Sequence, residues 1–312
     1  MAITTTPAIP DSPQALRIRE IVLDYFKRTG VPNHFGWTGM DPHVKGESLE
    51  IAKGWNLGVS DAVLEKYLTV GLVIAITAYR HTPFDVQVAI ALYSLCTTMV
   101  DDNIMEHEML RECPMRLFDG RPQLHPILTR LVEALVTMRQ HYSTYSSNVI
   151  TINTMEFINT EMFLRDEGGA EVRGPQATEY VDYVRWNAGI GEAYAAMIWP
   201  RAMFPETKTY IQAMPDAIRW ICLVNDLMSY YKEAKAGETD NYVSQRMAAC
   251  GQSSLDTLTD VVNRIVNLGE HIAAVLGDTP EKKAWDVFSG GYTEFHLYTP
   301  RYFLKDIVPE YY

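Results

Sequence analysis

Several things are scarce in this chain of 312 residues, and each scarcity removes a class of function. Its four cysteines, Cys96, Cys113, Cys222 and Cys250, are widely scattered, with no C-x-x-C pair and no ladder of short spacings. That excludes a disulfide scaffold or a thiolate zinc site and leaves buried reduced thiols. Basic charge is also in short supply: 27 Lys and Arg face 39 Asp and Glu, a net charge of −12. A nucleic acid or an anionic membrane as principal partner would need the opposite balance, because both are bound through a basic surface. No apolar run approaches the roughly 18 to 20 residues of a membrane span, and the N-terminus MAITTTPAIPDSPQ lacks the basic and apolar segments of a secretory signal. The expectation is a cytoplasmic protein with no membrane span. There is no glycine-rich phosphate loop either, so any anion must be held by other means.

What is present is hydrophobic and helical. At 47% hydrophobic the chain can bury a large core. Residues 1–13 are rich in Thr, Pro and Ser and read as a flexible N-terminal tail ahead of one domain over 14–312. Beyond the tail, apolar residues recur at spacings of three, four and seven over ten segments: 14–29, 59–80, 84–107, 124–142, 145–165, 176–199, 208–235, 239–249, 254–276 and 281–298. No alternating strand pattern and no 20–50-residue repeat interrupts them. The fold class expected is all-α, with 84–100 and 213–231 as central helices because they are apolar nearly all round.

Two of these helices end in hard oxygen donors. In NDLMSYYKE the polar residues Asn225, Ser229 and Glu233 recur every four positions, which places them on one stripe of a helix. A carbonyl oxygen, a hydroxyl and one carboxylate suit Mg²⁺, which keeps waters and takes further ligands from phosphate. The second segment, VAIALYSLCTTMVDDNIMEHE, runs apolar into Asp101, Asp102 and Glu106. Asp102 and Glu106 stand four apart, and Asp101 lies about 100° round the axis. Such acidic ends are also what solvated helix termini look like. Asn and Ser, however, are poor mid-helix residues, so the first stripe requires another reason.

With these residues the chain resembles a class I terpene cyclase, most closely the fungal trichodiene synthase group. The N-D-x-x-S-x-x-x-E motif is matched by Asn225, Asp226, Ser229 and Glu233, and the aspartate-rich motif by Asp101 and Asp102, with Met105 where a carboxylate is usual and Glu106 one place later. GGYTEFHLYTPRYFL carries an Arg301-Tyr302 pair, and YVRWNAGIGEAYAAMIWP resembles a helix bearing a diphosphate-sensing arginine, Arg185, that breaks at Gly189. The resemblance spans roughly residues 90–305. It implies a single-domain class I terpenoid synthase helical bundle with a central active-site cavity, in which three Mg²⁺ ions and the donors Arg185, Lys232, Arg301 and Tyr302 hold an isoprenoid diphosphate. Asp101, Asp102, Glu106, Asn225, Ser229 and Glu233 are the implied metal ligands.

The implied reaction is ionisation of farnesyl diphosphate and closure of the carbocation to a cyclic sesquiterpene, with release of diphosphate. Aromatic faces attract cations without being consumed, so Tyr93, Phe157, Trp199, Trp220 and Phe295 are candidates for the cavity wall. Gly189 and Gly191 would either expose backbone carbonyls at a helix break or permit close helix packing. A homodimer is common in the family and is left open here. The rival readings are a chain-elongating prenyltransferase of the same fold and a non-catalytic isoprenoid-binding protein.

Overall fold

The computed structural model describes residues 12–37, 39–167 and 169–312. Residues 1–11, most of the expected tail, lie outside these. At the first described helix, Ser12 accepts a hydrogen bond from the Ala15 amide and Pro13 opens the helix. Thirteen α-helices follow among the described residues, with no strand: α1 (Pro13–Thr29), α2 (Pro42–Gly54), α3 (Asp61–Thr77), α4 (Phe84–Asp101), α5 (His107–Asp119), α6 (Pro126–His141), α7 (Thr144–Glu167), α8 (Thr178–Ala188), α9 (Gly191–Ala196), α10 (Met214–Ala236), α11 (Tyr242–Cys250), α12 (Ser254–Leu276) and α13 (Pro280–Tyr298). Short 3₁₀ turns, including Pro300–Tyr302, lead the chain away from α13. No described helix is long and apolar enough to cross a membrane.

The all-α expectation holds, and its departures have local causes. Helix α2 escapes the periodicity because PHVKGESLEIAKG buries only Val44, Ser48 and Ala52; Asp41 accepts from the His43 and Val44 amides and Pro42 opens it. Helix α5 is hidden by Pro114, which reads as a turn but sits inside the helix. The segment expected as 84–107 ends at Asp101. There Asn103 takes φ 58°, the Ile104 amide donates to the Met99 carbonyl and the Asn103 amide to Val100, a Schellman stop with asparagine in the left-handed position. Asp102 and Glu106 therefore do not share a helical face.

The core is assembled around α4 and α10, whose buried residues cover almost their whole circumference. Helix α4 packs on α3 and α6, and α10 packs on α9 and α12. At two places helices meet backbone to backbone: a side chain on Gly71 of α3 would strike the Ala91 carbonyl of α4, and one on Gly291 of α13 the Thr77 carbonyl of α3. These contacts draw α3, α4 and α13 into one wall of the central cavity.

Candidate active site

A cavity of about 350 Å³ opens between these helices. Asp101, Arg185, Asn225, Ser229, Lys232, Glu233, Arg301 and Tyr302 all line it, and so do the apolar Val70, Ile74, Phe157, Ile190 and Phe295. The polar groups thus border a greasy interior, brought there from four separate parts of the chain.

The Asp101 end is held by the way α4 terminates. All four of its last carbonyls are satisfied: Thr98 by the Asp102 amide, Met99 and Val100 by the Schellman bonds, and Asp101 by Arg165. Arg165, on α7, places Nη2 at 2.5 Å from the Val100 oxygen, 3.2 Å from the Asp101 oxygen and 2.8 Å from Glu161. The Asp101 side chain keeps 53% of its surface accessible, and that surface faces the cavity it lines. Surrounding protein lifts its carboxyl above the ordinary range, with Arg301 opposing. Asp102 is turned to Arg301, whose Nη2 donates to it at 3.1 Å. Glu106 is exposed as the residue capping α5 and stands apart from the cavity lining, and Met105 is buried in the core.

Opposite, α10 presents Asn225, Ser229 and Glu233 along one stripe and turns Asp226 about 100° toward α8. Arg185 meets it there: Nε donates to Asp226 at 2.7 Å, and Nη2 to the Cys222 carbonyl at 3.1 Å and to Asn225 Oδ1 at 3.2 Å. Burial works against the Arg185 charge, but Asp226 and its neighbours outweigh it and hold the guanidinium firmly protonated. Burial lifts the Asp226 carboxyl to about 7 against the pull of Arg185, and lifts that of Glu233 as well. Ser229 is only 4% exposed and its Oγ has no hydrogen-bond partner. A buried hydroxyl left without a partner at the mouth of a cavity suits a ligand that arrives from outside.

Among the described residues no three His, Cys, Asp or Glu side chains form a metal-binding cluster. The donors are instead a single carboxylate with an amide and a hydroxyl on α10, and Asp101 across the cavity. Such a set leaves coordination positions for water and phosphate oxygens, so it fits Mg²⁺. Lys232, with Nζ 3.8 Å from Glu238, lies on the same lip.

The apolar wall differs from expectation in one layer. Phe157, Gly189 and Phe295 line the cavity; Tyr93 does not. It is fully buried, bonded to Thr154 at 2.7 Å, and its ring meets that of Tyr194 edge-on at 6.1 Å. Tyr194, on α9, is the aromatic that reaches the cavity, together with Tyr292. Trp199 stacks on Tyr210 and Trp220 packs on Trp285, both away from the lining. Helix α8 ends at Ala188 with Gly189 as its cap, and α9 begins at Gly191, with Ile190 between the two glycines at φ 49°. A Cβ at Gly189 would lie 2.8 Å from Cys222 Sγ, and one at Gly191 2.7 Å from the same atom. Both features allowed for Gly189 and Gly191 are thus present, a break and a close packing.

Four residues at the site carry no individual signal in the sequence. Glu161 and Arg165, four apart on α7, look like an exposed helical ion pair but are 13% and 7% accessible. Tyr194 looks like core, and His296 is a lone histidine in the apolar run TEFHLY.

A family model for trichodiene synthase matches residues 57–311. The chain belongs to the trichodiene synthase family. It is 32% identical over 293 residues to Monoterpene synthase 25 of Postia placenta, spanning 93% of this chain and 86% of that one. Against Terpene synthase BipA of Cochliobolus sativus it is 32% identical over 271 residues, 84% of this chain and 82% of the other. The linalool/nerolidol synthase of Streptomyces clavuligerus, solved with 2-fluorogeranyl diphosphate, superposes with a TM-score of 0.63 at 15% identity, over 83% of this chain and all of that one. At that identity the likeness shows the fold, which is that of the class I terpene synthases. The protein is thus a terpene cyclase, a lyase by reaction type.

Proposed function

We propose that this trichodiene synthase relative is a Mg²⁺-dependent sesquiterpene cyclase that ionises farnesyl diphosphate and closes the carbocation, releasing diphosphate. The observation that carries the reading is the single cavity in which hard oxygen donors on α4 and α10 face each other across Arg185, Lys232, Arg301 and Tyr302, above an apolar floor. Three Mg²⁺ ions, held by Asp101 on one side and by Asn225, Ser229 and Glu233 on the other, would neutralise charge developing on the departing diphosphate.

The chain's own groups bind and orient the substrate and shield the cation, and the departing diphosphate accepts the proton lost when the final cation becomes a neutral hydrocarbon. Arg301 donates in a planar fork, Arg185 through Nη1, since its Nε and Nη2 are bonded to Asp226, Cys222 and Asn225, and Lys232 as a point charge, which orients the diphosphate at the polar rim. Burial raises the Tyr302 phenol to about 12, with Arg301 and Asn225 opposing, so Tyr302 stays protonated and donates a hydrogen bond. Phe157, Tyr194, Tyr292 and Phe295 exclude water and turn ring faces to the cation. His296 is buried in the second layer and burial lowers it to about 3, so it is neutral and takes no part as an acid.

A second substrate is favoured by one specific finding. The relative from Postia placenta is named a monoterpene synthase, which makes ten-carbon geranyl diphosphate the alternative to the fifteen-carbon substrate. Incubation of purified protein with each diphosphate and Mg²⁺, followed by gas chromatography, decides between them. A cyclic C15 product is expected. A higher kcat/KM for geranyl diphosphate would move the assignment to a monoterpene synthase. A longer prenyl diphosphate formed with isopentenyl diphosphate would mean an elongating enzyme. Binding of prenyl diphosphates without diphosphate release from any of them would overturn the reading in favour of a non-catalytic protein.

A further inference from the structure

His296 lies beneath the α10 ligand stripe, fully buried, with its ring 4.7 Å from that of Tyr292, 4.8 Å from Phe295 and 4.7 Å from Tyr302. Its two nitrogens have distinct partners. Nδ1 is 2.8 Å from the Tyr292 carbonyl oxygen, which can only accept, so Nδ1 carries the proton. Nε2 is then an acceptor, and it stands 3.2 Å from the Asn225 side-chain nitrogen. The other end of that amide is fixed independently, because Arg185 Nη2, which can only donate, lies 3.2 Å from Asn225 Oδ1. Two one-way partners therefore determine which end of the amide is oxygen.

We propose that His296 is a positioning residue of the α10 metal site: its Nε2 accepts from Asn225 Nδ2 and, with Arg185 at the other end of the amide, this keeps the Asn225 carbonyl oxygen facing the cavity where a cation and diphosphate bind. The inference rests on the reading of Asn225 as a ligand to Mg²⁺. An asparagine amide presents a metal ligand at only one of its two ends. Rotation by 180° about its last bond would put an NH₂ group toward the cation and toward Arg185, and would leave Nε2 facing a carbonyl oxygen. The buried imidazole disfavours that rotamer because it offers no proton there. Asn225 is thus the ligand of the three whose identity at the metal depends on a neighbour, whereas a carboxylate or hydroxyl presents oxygen in any rotamer. His296 also packs against Tyr302, so the same ring supports a metal ligand and a diphosphate donor.

The test separates positioning from packing and needs no turnover. Mn²⁺ bound in the presence of inorganic diphosphate is titrated by electron paramagnetic resonance on the parent, His296→Phe, His296→Gln, Asn225→Ala and the double variant. His296→Phe keeps an aromatic ring but loses the acceptor, and should weaken Mn²⁺ binding at least tenfold. His296→Gln, whose amide oxygen can accept from Asn225, should return to within about threefold of the parent. In the Asn225→Ala background His296→Phe should change Mn²⁺ affinity less than twofold, which also tests the inference should the single Phe variant fold poorly. Equal affinities for parent and His296→Phe, or equal weakening by Phe and Gln in proportion to lost thermal stability, would overturn the inference and leave the metal reading standing. Absence of diphosphate-dependent Mn²⁺ binding by the parent would overturn both.

Discussion

The same substitution, glycine to alanine, should have opposite signs at Gly189 and Gly46. Gly189 has φ −85°, a backbone that alanine adopts freely. Reduced entropy of the unfolded chain alone would then make Gly189→Ala stabilising by about 0.4–1 kcal/mol. Space opposes it. The added Cβ would lie 2.8 Å from Cys222 Sγ and 2.9 Å from the Arg185 carbonyl, and closer still to Arg185 Nη1. A long side chain could normally yield, but Arg185 is tied to Asp226 at 2.7 Å, to the Cys222 carbonyl at 3.1 Å and to Asn225 at 3.2 Å. Overpacking of this kind costs about 1–3 kcal/mol, so the net loss is about 1.3 kcal/mol at the middle of the two ranges and about 2.6 kcal/mol at most. With an unfolding entropy of about 2.1 cal/mol/K per residue over 312 residues, each kcal/mol is about 1.5 °C, and Tm should fall by about 2 °C and at most about 4 °C. Gly46 is an exposed helical position in α2 with nothing within 4 Å of a built Cβ, and Gly46→Ala should gain up to about 1 kcal/mol. Displacement of Arg185 should also lower diphosphate release by Gly189→Ala at least tenfold, with Gly46→Ala unchanged. Calorimetric melting and a diphosphate-release assay read both effects. A Tm for Gly189→Ala raised as much as that for Gly46→Ala would refute the steric argument.

Three further outcomes follow from the site. Asp101→Ala and Asn225→Ala should each lose at least 10²-fold in kcat, whereas Glu106→Ala, at an exposed residue apart from the cavity lining, should stay within threefold; equal collapse in steady-state assays would place Glu106 at the metal. Burial, with Asp101 adding, raises the Glu161 carboxyl to about 7, so between about pH 4 and 7 the folded chain keeps a proton there that the unfolded chain has lost, and stability falls as pH rises through that window. Denaturant titrations should therefore show the stability difference moving in favour of Glu161→Gln over the parent from pH 5 to pH 8, and a flat difference would contradict the burial argument. Tyr93→Phe removes one buried bond to Thr154 behind the wall, so it should cost about 1 kcal/mol in urea denaturation and leave kcat/KM within twofold.

How much of this was legible in the sequence depended on what each signal measures. Helices with a consistent apolar face, such as α12 or α6, were readable because periodicity reports burial directly. Helix α2 was not, since its stability comes from a capping aspartate and proline rather than an apolar stripe. Helix α5 was concealed by an internal proline. The polar stripe of Asn225, Ser229 and Glu233 was legible because four-residue spacing survives intact within one helix. The aspartate-rich end misled at Glu106, since spacing carries meaning only while the helix continues and Asn103 ends it. Nothing local distinguishes Tyr93 from Tyr194 as a wall residue; which of the two edge-on rings reaches the cavity is decided by how α7 and α9 pack together, with Thr154 of α7 holding Tyr93 behind the wall. His296 was silent for a similar reason, because its partners come from 71 residues up the chain and from its own helix.

The break between α8 and α9 connects these observations. Ile190 sits at φ 49°, a region that β-branched residues rarely enter and that costs on the order of 1–3 kcal/mol. Gly189 and Gly191 run so close to α10 on either side of Ile190 that a Cβ at either would fall within 2.8 Å of Cys222 Sγ, so the break sits where the two segments are packed tightly. The result is that Arg185 reaches the Cys222 carbonyl, Asn225 and Asp226 at once and ties α8 to the polar stripe on α10. A cation at the Asn225 oxygen would then stand beside a guanidinium already bonded to that oxygen, and the two positive charges repel. An anion bridging them removes the repulsion. On the proposed reading, metal and diphosphate would be coupled through the geometry of Arg185.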